Sequence, residues 1–396
     1  MVEHSSAKME IAASPRAFPA AGMRVAGLLG LAFVLFLLRD SRHDFRSGRN
    51  DYLSLYAGAR LMESSKLYYP RQSWAVQAEA AGFYSEALEY IRPPFYAVLV
   101  WPLSKLPYRQ SYLVWQILSV AALLGFILAW RATNRDAALL ACSWSLPLLL
   151  GISLGQDLTF LLLVLAVSLR IHSTRPFVAG AVLSLCAIKF HMFLLLPVLI
   201  AGQKRWRMLA GLLAGAGALT GVSFAAAGAD WPKRYLEILT MGRISPEEQL
   251  MPNFHAMLLG GPYWRVLEPL LGVMTAGAVW RAVRRVDFAY GLAAALVGGL
   301  LVSHHAYPQD CTLLIPALLV VMSRSSHWLL NYLCVALFTP WPYLILFRGD
   351  PLNLVRLAIT ALLAGIVIQC WRSGGPPLSP KTAANPDDWE PTNTTA

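Results

Sequence analysis

The sequence predicts an all-α protein, a polytopic transmembrane helical bundle, on three observations. Hydrophobic residues make up 57% of the 396 residues and charged residues only 14%, whereas soluble domains carry about 25% charged residues. Apolar runs recur at the length of about 20 residues that a helix needs to cross the hydrocarbon core of a membrane. The cations are scattered one to three per short loop, as they are in polytopic membrane proteins.

Taken in order, the apolar runs lie near residues 21–38, 111–130, 137–151, 157–170, 207–227, 263–282, 287–303, 310–323, 328–347 and 352–371. Two further runs are ambiguous: 94–104 is short for a span, and 177–201 is long and interrupted by Lys189 and His191. We therefore expect about 10–13 membrane segments, with re-entrant or short paired helices. One transmembrane domain, 21–372, is expected between disordered cytoplasmic tails at 1–20 and 373–396. Residues 21–38 lack a following cleavage site, which favours a retained first helix over a signal peptide.

Basic residues in short loops predict the orientation of the chain. The candidate cytoplasmic groups are Arg131/Arg135, Arg170/Arg175, Lys204/Arg205/Arg207, Arg281/Arg284/Arg285, Arg324 and Arg372. All of them share one side if 94–104 dips in and returns and 177–201 is a hairpin of two short helices. A full crossing at 94–104 with a single span at 177–201 would put the first two groups outside. We prefer the first layout and expect the protein to lie in the cell membrane. The net charge of +11 is explained by the retention of basic loops in the cytoplasm and by contact with anionic lipid, and not by binding to nucleic acid.

Two loops, 39–93 and 228–262, are long enough to contain active-site residues. The preferred layout places both on the outer face of the membrane. In the first, apolar residues at helical spacing after Asp51 predict a helix that lies at the interface with its Tyr and Leu side chains toward lipid. A second amphipathic stretch is expected over 74–90, before Arg92-Pro93-Pro94. No phosphate-binding G-x-x-x-x-G-K-[ST] motif occurs, so ATP-driven transport by this chain alone is unsupported.

Neither cysteines nor histidines predict a metal site. The five cysteines lie in or beside apolar runs without a C-x-x-C pair, which is typical of small buried hydrophobes. His304 and His305 are adjacent, so their side chains point in opposite directions and do not suit one ion. The sequence therefore identifies no metal ligand and no cofactor, and it does not tell whether the protein requires a divalent metal.

Four segments in a fixed order carry a family resemblance. They are Asp51 to Leu67-Tyr68; Tyr90-Ile91-Arg92-Pro93-Pro94 to Leu106-Pro107; Leu154-Gly155-Gln156 to Ile188-Lys189 and Arg205-Trp206-Arg207; and Ser303-His304-His305-Ala306-Tyr307-Pro308-Gln309-Asp310. In order and spacing they resemble glycosyltransferase family 87, within the GT-C superfamily of enzymes that use polyprenyl-phosphate sugars. This chain departs from the family pattern at Ser65, where a glycine is usual, at Phe190, where a proline is usual, and in the last segment, which lacks a proline.

The resemblance implies a GT-C-like bundle that transfers a hexose, such as mannose, from a polyprenyl phosphate with inversion. The acceptor would be a cell-envelope glycan or glycolipid on the outer face. Membrane lipid, the lipid-linked donor and the acceptor are then the partners. A transporter or flippase for a lipid-linked saccharide and a non-catalytic scaffold of envelope assembly remain as alternatives, as does an O-antigen-ligase-like enzyme.

Asp51 is the candidate catalytic base, because the superfamily places an essential acidic residue shortly after its first span. The alternative is that Asp51 only caps the helix that it begins; Asp40 and Asp44 are rival carboxylates. Lys189 is the candidate ligand of the donor phosphate, since a cation inside an apolar run is costly unless it has a use. Its alternative is snorkelling to the interface.

The remaining candidate substrate-binding residues are polar groups that the predicted topology places on the outer side. They are Arg92, Gln156, His191, Asn253, His305 and Asp310. Asp157 follows Gln156 in the same outer turn, and helix capping is the alternative to sugar contact for both residues. For His191 the alternative is a hydrogen-bonded structural role.

Overall fold

The computed structural model describes residues 20–64, 66–240 and 247–372, which form helices and no strand. The α-helices are α1 Ala20–Leu37, α2 Arg42–Ser47, α3 Tyr52–Leu61, α4 Pro70–Ala81, α5 Pro94–Ser104, α6 Tyr108–Ala129, α7 Arg135–Trp144, α8 Leu146–Ser153, α9 Leu158–Ile171, α10 Pro176–Leu183, α11 Leu196–Gly202, α12 Trp206–Ala227, α13 Trp231–Leu239, α14 Phe254–Leu258, α15 Trp264–Val283, α16 Phe288–Val302, α17 Leu314–Arg324, α18 Trp328–Phe338, α19 Trp341–Leu346 and α20 Leu354–Arg372. Short 3₁₀ segments cover Arg39–Ser41, Met62–Ser64, Ser184–Phe193, Glu248–Leu250 and Pro308–Leu313. The all-α fold class is confirmed. The predicted tails and Ser65 lie outside the described residues.

Several helices are long and apolar enough to cross a membrane. Within the described residues there are 5 such helical stretches, or up to 7 if each of two bent pairs is one span, together with four shorter apolar helices. One of the 5, Pro176–Phe193, consists of α10 and the 3₁₀ segment that follows it. The chain is therefore a multi-pass membrane protein. Two of the predicted continuous runs are broken: 137–151 bends by 67° between α7 and α8, and 328–347 divides into α18 and α19.

The segment from α10 to α11 is a hairpin, as the preferred layout predicts. His172, just before α10, stacks on Phe288 with ring centroids 4.7 Å apart. The Arg205 guanidinium, just after α11, lies 5.0 Å from the same ring. Both ends of the segment therefore lie at one end of the bundle. The turn falls at Lys189, whose φ of −126° and ψ of 53° interrupt the helical backbone.

Helix α5 does not cross the bundle either. Its 11 residues span about 16 Å at 1.5 Å each, against a hydrocarbon core of about 30 Å. Near its start, Tyr90 packs against Gly58 of α3, and after its end Lys105 pairs with Glu63 at 2.6 Å. Both ends of α5 thus lie along the short stretch from α3 to residue 63.

The basic loops gather at one end of the bundle, which we call the arginine end. Arg24 pairs with Asp136 at 3.2 Å, Arg324 with Asp287, and Arg285 approaches the Trp371 carbonyl at 3.5 Å. Helices α6 and α9 run in the same direction, since Trp115 contacts Phe160 and Gly125 lies beside Leu163. Arg131 and Arg170, at their ends, therefore share this end, in agreement with the preferred layout.

The first long loop differs from its prediction in two ways. Helix α3 is not lipid-facing: Tyr52 and Leu53 are fully buried and Tyr56 nearly so, because α5 and α6 cover it. Helix α4 ends at Ala81, not near residue 90, because Gly82 takes the left-handed φ of 60° that terminates a helix. Residues 83–93 are consequently free to line a cavity.

Candidate active site

A cavity of about 370 Å³ lies at the end of the bundle opposite the arginine end. Its wall is built from six parts of the chain that are far apart in sequence. They are the start of α3, residues 87–92, the turn between α8 and α9, the hairpin turn at Lys189, Glu247, and the loop after α16. The lining includes seven of the eight predicted site residues: Asp51, Arg92, Gln156, Lys189, His191, His305 and Asp310.

Asp51 lines this cavity. Although it occupies the N-cap position of α3, its side chain makes no capping hydrogen bond. Its backbone N–H donates to the Leu154 carbonyl at 3.0 Å, and its carboxylate accepts from the Gln156 amide. The capping alternative for Asp51 is therefore wrong. The rivals Asp40 and Asp44 are 90% and 61% exposed and do not line the cavity.

The amide of Gln156 is oriented by two cations. Its oxygen accepts from Lys189 Nζ at 2.8 Å and lies 3.4 Å from a guanidinium nitrogen of Arg92. Cations can only donate, so the oxygen is held toward them and the NH₂ group is held toward Asp51. A continuous polar chain thus connects both predicted cations to the predicted base.

Lys189 is buried, with 3% of its surface exposed, so it does not snorkel to an interface. Its ammonium donates to Asp310 Oδ1 at 2.6 Å as well as to Gln156, and lies 3.7 Å from Asp157 Oδ1. The other Asp310 oxygen accepts from the Tyr307 backbone N–H at 2.8 Å. Asp310 therefore ties the hairpin turn to the loop after α16.

A second buried ion pair stands beside the first. Arg92 Nε donates to Asp157 Oδ2 at 3.1 Å, and their side chains are 10% and 0% exposed. Burial alone would lower the pKa of Arg92, but the Asp157 carboxylate raises it, so the guanidinium stays charged. For Asp157 the sequence suggested sugar contact or helix capping, as for Gln156, but it does not show the pairing with a cation 65 residues away. The Asp157 side chain makes no capping hydrogen bond at the start of α9.

Two histidines form another part of the wall. The rings of His191 and His305 meet edge to face with centroids 6.0 Å apart. Burial lowers the pKa of His305 to about 4, so this ring is neutral at pH 7. A neutral imidazole carries one donor and one acceptor nitrogen, which suits contact with a sugar hydroxyl.

Asn253 is the predicted site residue that the cavity leaves out. Its amide oxygen accepts from the Ala256 N–H at 3.0 Å, and its nitrogen donates to the Ser303 carbonyl at 2.7 Å. It caps α14 and fastens α14 to the end of α16. Its predicted role in substrate binding is therefore not supported by its position.

The cavity also contains polar residues that the sequence did not single out. Glu89, Glu247 and Tyr307 line it. Glu89 is buried and belongs to the stretch that was expected to be helical, and Glu247 belongs to the second long loop. Only the folded chain shows that these two loops meet at one cavity.

Comparison with known families decides the relationship. The model of glycosyltransferase family 87 matches residues 90–308, more than half of the chain. The chain belongs to glycosyltransferase family 87. The resemblance carried by the four sequence segments is thereby confirmed. The matched region contains Arg92, Gln156, Lys189 and His305. Asp310 lies two residues after it and Asp51 lies 39 residues before it, and the fold brings both to the same cavity.

One curated relative supports the family assignment. The chain is 27% identical over 281 residues to a polyprenol-phosphate-mannose-dependent α-(1-2)-phosphatidylinositol pentamannoside mannosyltransferase of Mycolicibacterium smegmatis, a match that covers 65% of this chain and 66% of that protein. No solved structure matches the chain.

Proposed function

We propose that this family 87 protein transfers a hexose, mannose by analogy with the relative's name, from a polyprenyl phosphate to a glycan or glycolipid of the cell envelope. The reaction would take place at the outer face of the cell membrane, where the cavity opens opposite the arginine end. One observation supports this most: Asp51 faces the cavity without capping its helix. Its carboxylate is therefore available for chemistry.

The proposed step is a single displacement with inversion. An acceptor hydroxyl gives its proton to the Asp51 carboxylate while its oxygen bonds to the anomeric carbon of the donor sugar. The bond from that carbon to the phosphate oxygen breaks, and polyprenyl phosphate leaves with the bonding electrons. Because phosphate is a good leaving group, one positioned base suffices where glycoside hydrolysis needs two carboxylates. The Gln156 amide holds Asp51 in place for this role.

The donor phosphate is proposed to bind near Lys189 and Arg92, whose charge would stabilise the negative charge on the leaving group. An ammonium has three N–H donors, and two of those on Lys189 are already engaged by Gln156 and Asp310. The phosphate would therefore use the third donor or displace one of these partners. Neutral His305 and His191 are proposed to contact sugar hydroxyl groups.

Asp51→Asn tests the enzymatic function. Asn keeps the shape of the side chain and an oxygen that can accept from Gln156, but it cannot take a proton. Positioned bases contribute about 10²- to 10⁴-fold, so we expect transfer from a synthetic polyprenyl-phosphate mannose to fall by that factor. The melting temperature and donor binding in detergent should remain those of the wild type.

The matched control is Asp44→Asn, which changes an exposed carboxylate of the same loop outside the cavity. It should retain full transfer. Full transfer by Asp51→Asn would remove Asp51 as the base. A wild-type protein that binds the donor and moves it across vesicles without transferring sugar would support a transporter instead.

A further inference from the structure

Beside the cavity, two histidines and a glutamate from three separate elements meet. His255 lies on α14, Glu268 on α15 and His304 in the loop after α16. Glu268 joins the two rings: one carboxylate oxygen is 3.0 Å from His255 Nδ1 and the other is 2.7 Å from His304 Nδ1. One ligand atom from each residue lies within 4.8 Å of the other two. This group does not line the cavity.

The surroundings of His255 resemble those of a metal-binding histidine. Its side chain is 7% exposed, and its Nε2 lies 3.6 Å from a Glu248 carboxylate oxygen, without a hydrogen bond. Histidines that ligate a metal through one nitrogen usually donate the other N–H to a carboxylate, which holds the ring in the correct tautomer. Glu248 is placed to accept that proton when Nδ1 binds an ion.

We propose that His255, Glu268 and His304 bind one divalent transition-metal ion of the zinc class. Two imidazoles and a carboxylate are a donor set that zinc accepts in proteins, with a fourth position left for water. His304 is 63% exposed and Glu268 16%, so that fourth position faces solvent. Ligand atoms in proteins lie about 2.0–2.2 Å from zinc. Around such an ion, the distances from Glu268 to His255 Nδ1 and to His304 Nδ1 would have to increase slightly. The exposed side chain of His304 can move to allow this.

The ion would position one wall of the cavity and take no part in the transfer. The loop that supplies His304 continues into His305 and Tyr307, which line the cavity. A metal bridge to α14 and α15 would fasten this loop to the second long loop of the chain. The site shares no residue with the proposed base or phosphate site, so its test is independent of the proposed function.

The direct test uses the full chain in detergent, stripped with EDTA and titrated with ZnCl₂. We expect about one zinc retained per chain after desalting, measured by elemental analysis. The melting temperature should rise with zinc concentration, as it does for a ligand that binds only the folded state, while MgCl₂ should have no such effect. Absence of stoichiometric zinc, or equal stabilisation by both salts, would overturn the proposal.

Variants then assign the ligands. His304→Gln alters an exposed residue and should leave the metal-free melting temperature unchanged. Glu268→Gln removes the bridging charge. Each should weaken zinc binding by at least about 10-fold, the smallest loss usual when groups around a bound metal are removed. His43→Gln is the matched control, because His43 is an exposed histidine beside a carboxylate, Asp44, that lies outside the cluster. If His304→Gln binds zinc as tightly as His43→Gln, the assigned site is wrong.

Discussion

At the scale of single residues, both cations of the cavity are paired with carboxylates of the protein before any substrate binds. Lys189 pairs with Asp310 and Arg92 with Asp157, and all four side chains are at most 10% exposed. Removing one member of a buried ion pair leaves the other charge uncompensated, which is costly. A variant at Lys189 therefore changes stability as well as any contact with the donor.

Lys189→Gln alone should lower the free energy of unfolding by about 3–5 kcal/mol, because Asp310 loses its partner. Asp310→Asn should do the same for Lys189. The double variant Lys189→Gln/Asp310→Asn removes both charges and should recover most of the melting temperature, since Asn can still accept from the Tyr307 N–H. Such a cycle separates the pair energy from the single effects.

Transfer by the double variant then decides the role of Lys189. If the lysine also neutralises the donor phosphate, transfer should remain low although the protein is stable. The loss of one charged contact in the transition state corresponds to about 10²- to 10³-fold. Transfer at the wild-type rate in the stable double variant would make Lys189 a structural residue.

The sequence identified most residues of the cavity but not their pairing. Asp51, Lys189 and Arg92 were recognisable for two reasons. A charged side chain in or beside an apolar run is costly unless it has a function, and the spacing of these residues resembles that of glycosyltransferase family 87. Asn253 was predicted to bind substrate but caps α14 outside the cavity, since a polar residue just before an apolar run resembles a helix cap as closely as it does a substrate ligand. The pairing of Asp157 was not predicted because its partner Arg92 is distant in sequence. Pairing of this kind depends on helix packing, which periodicity does not encode.

At the scale of elements, the hairpin from α10 to α11 presents Lys189 to the cavity, and α12 supports it. Helices α10 and α12 cross at a short distance because each helix has a glycine at the crossing. A Cβ atom at Gly180 would overlap the Met208 carbonyl, and one at Gly211 would overlap the Phe177 carbonyl. Small residues allow helices in membranes to approach in this way. The interrupted run at 177–201 was predicted as a hairpin, whereas the close crossing was not, because the sequence does not show which helix is the neighbour.

Gly211→Ala should therefore separate α10 from α12 and displace the hairpin turn. Forcing an additional methyl group against backbone costs about 1–3 kcal/mol, so the melting temperature should fall and transfer with it. Gly217→Ala is the matched control on the same helix, where a Cβ would meet nothing within 4 Å. Thermal unfolding of both variants in detergent makes the comparison. If Gly211→Ala melts no lower than Gly217→Ala, the close crossing is not present in the protein.

At the scale of the whole molecule, the bundle separates its charges by end. The arginine end holds the loops that contain Arg131, Arg170 and Arg285, while the cavity with its paired charges lies at the other end. Positive residues in short loops stay in the cytoplasm, so the cavity is expected to face outward. A site on that face suits a donor whose hydrocarbon tail remains in the bilayer.

The fold class and the sharing of one end by the basic loops were predictable from composition and loop charge. The path of the long loops was not, because burial of Tyr52 and Leu53 of α3 depends on its packing against α5 and α6.

Cysteine labelling on intact cells tests this orientation. The five native cysteines are all buried and unpaired and can be replaced by alanine. In that background, single cysteines at the exposed positions Tyr84 and Pro262, one in each long loop, should react with a membrane-impermeant thiol reagent. Cysteines at the exposed positions Arg131 and Thr174 should react only after the cells are opened. Positive-inside sorting is the physical reason, because moving these basic loops across the membrane is unfavourable.

Labelling of Arg131→Cys and Thr174→Cys on intact cells, with Tyr84→Cys still reactive, would make 94–104 a full crossing and 177–201 a single span. The reverse pattern at all four positions would place the cavity in the cytoplasm and contradict transfer at the outer face.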